Sequence, residues 1–153
     1  MIDYHMYMDL AIKASVEAGE KTFQYYHQEL EIKQKEDNSP LTLADLESNK
    51  ILNHYLSQSE MPILSEENKI TDYSERKNWN EFWLIDPLDG TKEFINKRSE
   101  YTINVALIRN NSPVLGVVYV PIEKILYFGD RQSGSYKADL KHIFSDSKPL
   151  SDS

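Results

Sequence analysis

Two carboxylates three residues apart, Asp86 and Asp89, lie in the run Trp83-Leu84-Ile85-Asp86-Pro87-Leu88-Asp89-Gly90-Thr91. An apolar strand over residues 82–85 delivers Asp86 at its end. Pro87 is expected to stop the ladder, and Gly90 permits a tight turn that folds Asp89 back beside Asp86. Two carboxylates in one small volume repel and raise each other's pKa, so both stay ionised only around a bound cation. Hard oxygen donors, in a chain without cysteine, favour Mg²⁺ over zinc. Taken alone, Asp-Pro-x-Asp-Gly also describes an ordinary turn, because each of these residue types favours turns. A second apolar run, residues 62–64, ends in Ser65-Glu66-Glu67 and can set a third carboxylate against the first two.

Elements on either side must position these acids. From residue 4 to residue 27, Met8, Ile12, Val16 and Phe23 recur near helical spacing among Lys13, Glu17, Glu20 and Lys21, which predicts an amphipathic helix. Residues 33–40 are polar and contain Asp37-Asn38-Ser39-Pro40, so a mobile loop is expected there. Leu41-Thr42-Leu43-Ala44-Asp45-Leu46 carries a helix start, with Thr42 as N-cap, Asp45 at the third helical position and Leu41 stapled against Leu46; this second helix runs to residue 56. Tyr101, Ile103, Val105 and Leu107 alternate with Thr102, Asn104 and Ala106, and Asn110-Asn111-Ser112-Pro113 turns the chain into a strand over 114–120. Residues 125–128 form a further strand, followed by a polar tail that ends over 145–153 without closing an element. Two helices followed by about five strands predict an α+β layer, the helices covering one face of a mostly antiparallel sheet.

Composition restricts the chemistry. At 153 residues and 40% hydrophobic content the chain can bury one core. The 17 Lys and Arg against 25 Asp and Glu give a net charge of -8, which repels nucleic acid polymers and anionic lipid. A small anionic substrate fits only where bound cations reverse the sign of the field. The absence of cysteine, of an apolar leader and of any long apolar run predicts a cytoplasmic protein, with peripheral attachment at the inner membrane as the alternative. His5, His27, His54 and His142 have neither motif spacing nor acidic neighbours suited to a triad.

Glu66-Glu67 followed by Asp86-Pro87-Leu88-Asp89-Gly90-Thr91 resembles the two amino-terminal motifs of the inositol monophosphatase family. Ser39-Pro40-Leu41-Thr42-Leu43-Ala44-Asp45 is similar to the family's earlier element. Thr91-Lys92-Glu93-Phe94-Ile95 and Gly116-Val117-Val118-Tyr119-Val120-Pro121 resemble its bacterial 3′(2′),5′-bisphosphate nucleotidase branch. The resemblance implies the first lobe of a layered αβαβα sugar-phosphatase fold. It implies Glu66, Asp86, Asp89 and the backbone carbonyl of Leu88 as Mg²⁺ ligands, and the backbone N–H groups of Gly90 and Thr91, at the start of a short helix, as holders of the substrate phosphate beside Glu66, Leu88 and Asp89. It gives Asp45 and Thr91 to the attacking water, the threonine hydroxyl bonding it and the carboxylate accepting its proton. Helix capping alone accounts for Asp45 equally well at this stage. Lys35, Glu36 and Asp37 resemble the family's flap over the metals and equally a solvated charge run.

The implied activity is Mg²⁺-dependent hydrolysis of adenosine 3′,5′-bisphosphate to AMP and phosphate. The alternative within the class is an inositol monophosphatase, and the alternative outside it is a non-catalytic metal-binding or dimerisation remnant. The family's third metal-binding aspartate belongs to a carboxyl-terminal Trp-Asp motif that has no counterpart here; after Phe128 the acidic residues include Asp130, Asp139, Asp146 and Asp152, all in polar surroundings. Residues 1–153 are therefore expected to be the amino-terminal lobe, with the carboxyl-terminal lobe absent and activity impaired. The uncovered sheet face is expected to carry Val105, Leu107, Val117 or Tyr119 and to promote a homodimer or self-association.

Overall fold

In the computed structural model, which describes residues 3–29, 31–35 and 40–144, the first helix α1 spans Tyr4–Tyr26. The loop residues 36–39 and the polar terminal segment 145–153 lie outside the described residues. Asp3 starts α1, its carboxylate accepting the N–H groups of His5 at 3.1 Å and Met6 at 3.3 Å. Of the large side chains that mark its periodicity, α1 fully buries only Met8. Met8, Ala11, Ala14, Ser15, Ala18, Gly19, Thr22 and Tyr26 are buried, whereas Ile12, Val16 and Phe23 are only partly covered. Small residues let the helix axis approach the sheet closely: a Cβ on Gly19 would collide with the Tyr119 ring. The hydroxyls of Ser15 and Thr22 donate back to Ala11 O at 2.7 Å and Gly19 O at 2.6 Å, so they sit in the core without unmet hydrogen bonds.

Two short strands, β1 (Lys33–Gln34) and β2 (Pro40–Leu41), pair antiparallel where a wholly irregular loop was expected. Helix α2 (Leu43–Leu56) begins at Thr42 as anticipated, but Leu46 is exposed. The buried face of α2 is polar over its first half, with Asp45, Ser48 and Asn49, and apolar over its second, with Leu52 and Leu56.

Six strands follow: β3 (Ile63–Ser65), β4 (Glu81–Asp89), β5 (Thr102–Arg109), β6 (Ser112–Val120), β7 (Ile125–Asp130) and β8 (Gly134–Asp139). They lie side by side in that order, with β3 parallel to β4 and every later pair antiparallel. The fold is α+β, as the pattern of elements predicts. Asn110 and Asn111 both take positive φ, 50° and 65°, which supplies the tight two-residue turn between β5 and β6. A 3-10 turn over Ser57–Ser59 and three short α-helices complete the described chain: α3 (Tyr73–Arg76), α4 (Thr91–Ile95) and α5 (Lys141–Phe144).

Helices α1 and α2 cover one face of the sheet. Trp83, Ile85, Ile103, Val105, Leu107, Leu115, Val117, Tyr119 and Leu126 form the core beneath them. Val105, Leu107, Val117 and Tyr119, expected on the uncovered face, are therefore buried on the covered one. Period-two alternation establishes two faces without saying which one the helices take. The open face carries Leu84, Val118 and Tyr127, all exposed.

Candidate active site

Asp86 and Asp89 reach the same face of the sheet by a device that spacing alone does not reveal. Side chains alternate along a strand, so residues three apart normally point to opposite faces. Here Pro87 does not end the strand. Asp86 pairs with Asn104 and Asp89 with Thr102, three residues on β4 against two on β5, and the register shift between them is a β-bulge. Thr102 and Asn104 share a face of β5, so their partners Asp86 and Asp89 share one too. Proline suits the bulge because no ladder hydrogen bond is asked of its nitrogen.

Gly90 then turns the chain into α4. Its φ of 93° is strained for any residue with a Cβ, and an added Cβ would stand 3.1 Å from a Glu93 carboxylate oxygen and 3.4 Å from the Tyr101 Cα. Behind the turn, Phe94 packs edge-on against Tyr101 and Tyr26, and the Lys97 ammonium donates to the carbonyls of Tyr26 and Gln28, tying the end of α4 to the end of α1.

The polar half of α2 anchors the segments that carry the acids. Asp45, Ser48 and Asn49 lie on one helical face. The buried Asp45 carboxylate divides its two oxygens: Oδ2 accepts the Thr42 N–H at 3.0 Å and the Thr42 hydroxyl at 2.6 Å, and Oδ1 accepts the Thr91 hydroxyl at 2.9 Å. Capping and contact with Thr91 thus coexist on one side chain. The Ser48 hydroxyl donates to the Pro87 carbonyl at 2.5 Å and pins the bulge. Asn49 Oδ1 accepts the Ser65 hydroxyl at 2.7 Å, and its amide donates to Asn68 Oδ1 at 2.9 Å. Asn53 and Asn68 exchange amide hydrogen bonds of 3.2 and 3.0 Å, so the turn bearing Glu66 and Glu67 is clasped to α2.

One cation-bearing residue enters this group. Lys35 pairs with Glu66 at 3.6 Å and more tightly with Glu67. Burial alone would lower the Lys35 pKa, but the bond to Glu67 and the charges of Glu67, Glu66 and Asp45 outweigh it and hold the ammonium above its ordinary value. The Asp86 carboxyl is pushed up to about 6, first by burial and then by the charges of Asp89 and Glu66; the Leu88 N–H and Lys35 pull the other way. Glu66 and Asp89 therefore both lie within electrostatic reach of Asp86. Among the described residues, however, no group of three acidic, imidazole or thiol side chains converges to metal-ligand spacing. The donor set fits a hard divalent ion: all oxygen, net negative, and with one carboxyl held at a cost that a cation would relieve.

Ser48, Asn49, Asn53, Asn68, Thr102 and Asn104 carry much of this geometry, and the sequence reading assigned none of them to the site. Apart from the i, i+2 contact between Thr102 and Asn104 and the i, i+4 contact between Asn49 and Asn53, their partners are 15 to 39 residues distant. The spacing of Asp45, Ser48 and Asn49 on one helical face was the available signal. Glu36 and Asp37 lie outside the described residues.

Among the described residues no helix is long and apolar enough to cross a membrane. The chain is similar to known proteins along most of its length. The chain is 40% identical over 129 residues to the 3′(2′),5′-bisphosphate nucleotidase CysQ of Haemophilus influenzae, covering 83% of this chain and 48% of that protein. The Escherichia coli K12 protein of the same name is 38% identical over 124 residues, covering 78% and 50%. The crystal structure of CysQ from Bacteroides thetaiotaomicron, described as a bacterial member of the inositol monophosphatase family, superposes with a TM-score of 0.75 at 39% identity, covering 92% of this chain and 56% of that one. The SuhB structure from Bartonella henselae gives a TM-score of 0.78 at 27% identity, covering 88% and 52%. The chain thus spans about half the length of the curated relatives it matches. Because the profile of the inositol monophosphatase family matches residues 3–153, the chain belongs to that family.

Proposed function

We propose that this chain supplies the amino-terminal share of the active site of a Mg²⁺-dependent phosphomonoesterase. The proposed substrate is a small bisphosphorylated nucleotide, adenosine 3′,5′-bisphosphate, hydrolysed to AMP and phosphate. The observation that carries this reading is the 2.9 Å bond from the Thr91 hydroxyl to the buried Asp45 carboxylate, near the acids that follow β3 and those that end β4. A threonine that donates to a carboxylate keeps its lone pairs free to accept a hydrogen bond from a water molecule; as that water attacks, its proton passes to Thr91 Oγ1 while the Thr91 proton moves to Asp45.

Glu66, Asp86, Asp89 and the Leu88 carbonyl would hold Mg²⁺, and the Gly90 and Thr91 N–H groups would receive the phosphate. When bound, the metal supplies Lewis-acid polarisation of the phosphoryl oxygens, a more acidic water and stabilisation of the leaving alkoxide. Thr91 orients the attacking water. The clasped Glu66 turn and the β4 bulge keep the carboxylates from drifting as charge develops. Nucleotide over inositol phosphate is favoured by the named relatives, which are 3′(2′),5′-bisphosphate nucleotidases.

The test is phosphate release with Mg²⁺ from adenosine 3′,5′-bisphosphate and from an inositol monophosphate, in this chain and in Asp86→Asn. Slow release that prefers the bisphosphate and disappears in the variant supports the proposal. Release equal in the two chains refutes the metal site, and preference for the inositol ester refutes the substrate.

A further inference from the structure

Resting on the metal-site reading above, we propose that Asn104 is a positioning residue for Asp89, held in its working orientation by Thr102. Asn104 stands on β5 directly opposite Asp86, and its amide nitrogen donates to Asp89 Oδ2 at 3.2 Å. An amide can present either its oxygen or its nitrogen. The Thr102 hydroxyl decides between them by donating to Asn104 Oδ1 at 3.0 Å, which leaves the nitrogen turned toward Asp89. The three side chains form a directed relay, hydroxyl to amide to carboxylate, in which every hydrogen bond has a defined donor.

The relay has chemical consequences for a cation site. Fixing Asp89 Oδ2 restricts rotation of the carboxylate and leaves Oδ1 as the free donor. A neutral amide achieves this without a positive charge that would compete with the metal, unlike Lys35 on Glu66 and Glu67. It also avoids adding a negative charge opposite Asp86, whose carboxyl already bears the field of Asp89 and Glu66. Asn104 is only partly buried and is not itself part of the apolar core. The selection of an amide at this register position is therefore explained by what it holds.

The experiment measures Mn²⁺ binding by electron paramagnetic resonance of the free ion, with thermal unfolding in EDTA alongside. It compares the unaltered chain with Asn104→Leu, Thr102→Val and Thr102→Ser. Asn104→Leu is expected to unfold within a few degrees of the unaltered chain yet to bind Mn²⁺ about 10- to 100-fold more weakly, as outer-shell losses at metal sites do. Thr102→Val, which frees the amide to flip, is expected to lie between them, and Thr102→Ser, which keeps the hydroxyl, to match the unaltered chain. Mn²⁺ affinity unchanged in Asn104→Leu overturns the proposal. If that variant fails to fold in EDTA, unchanged affinity in Thr102→Val overturns it instead. An unaltered chain that binds no Mn²⁺ overturns the metal site itself, a result distinguishable from failure of the relay alone.

Discussion

Replacing Asp45 by asparagine separates two uses of one carboxylate. An asparagine can keep its oxygen on the Thr42 donors, since Asn and Asp cap helices about equally well. Its NH₂ must then face Thr91 Oγ1, where Asp45 Oδ1 accepts at 2.9 Å. Two donors cannot share that hydrogen bond, so the Thr91 hydroxyl must turn its proton away, and the nearest described acceptor is the Leu88 carbonyl at 3.4 Å. Three charge-assisted hydrogen bonds become at most two neutral ones and one reversed. At roughly 1 kcal/mol lost for each, with partial compensation, the stability loss should be about 2 kcal/mol. That corresponds to a fall in Tm of about 4–8 °C for a domain of this size. Urea unfolding of Asp45→Asn, Thr91→Val and the double variant gives the coupling between the two side chains, expected at about 1–2 kcal/mol. Thr42→Ala, which removes the 2.6 Å bond and leaves Thr91 untouched, should cost about 1 kcal/mol and preserve phosphate release per folded molecule. Asp45→Asn should reduce that release by about 10²-fold or more. A coupling below about 0.3 kcal/mol, or equal effects of Asp45→Asn and Thr42→Ala on release, would refute the dual role.

Three further outcomes are expected. Because the Asp86 pKa is raised to about 6, its protonated form is the one the metal-free fold favours, so stability from this group is full below about pH 4 and lost as pH rises through about 6. Mn²⁺ affinity should climb across the same interval and lose that component in Asp86→Asn, as pH-resolved titration would show. Gly90→Ala should destabilise by about 1–2 kcal/mol in urea, since φ of 93° and the Glu93 contact both oppose a Cβ; unchanged stability would contradict the described turn. Light scattering should show self-association of this chain that Val118→Lys with Tyr127→Lys suppresses, because both residues stand on the open sheet face; a monodisperse monomer before substitution would count against it.

The sequence was legible where one residue type constrains its own neighbourhood. Thr42 with Asp45 announced α2, paired asparagines announced the β5–β6 turn, and alternation over 101–107 announced β5. Strand β8, Gly134–Asp139, escaped because its side chains are mostly exposed and carry no apolar alternation; pairing to β7 holds it, with Ala138 packed against the core and Tyr136 stacked on Phe128. The bulge at Pro87 escaped because proline reads as a strand terminator unless the partner strand's register is known. On α1 the periodic Met8, Ile12 and Val16 do face the core, but the small residues between them escaped notice, although close packing against Tyr119 requires them. Of the site, the acids were visible and the amides were not. Carboxylates at strand ends are conspicuous, whereas Asn49, Asn68 and Asn104 acquire meaning only from partners brought near by the fold.

Strand order in the sheet equals order of synthesis from β3 to β8, so each strand leaving a ribosome finds its partner in the segment made just before it. Local pairing of this kind keeps loop-closure entropy small and avoids long exposure of unpaired edges. The two covering helices emerge earlier still and must wait for the sheet. Between Met8 and Tyr26 the waiting face of α1 is built from Ala11, Ala14, Ser15, Ala18, Gly19 and Thr22, a stretch that offers little apolar area to a stray partner until β6 arrives with Tyr119. A stripe chosen for close packing in the finished protein thus also protects the unfinished one.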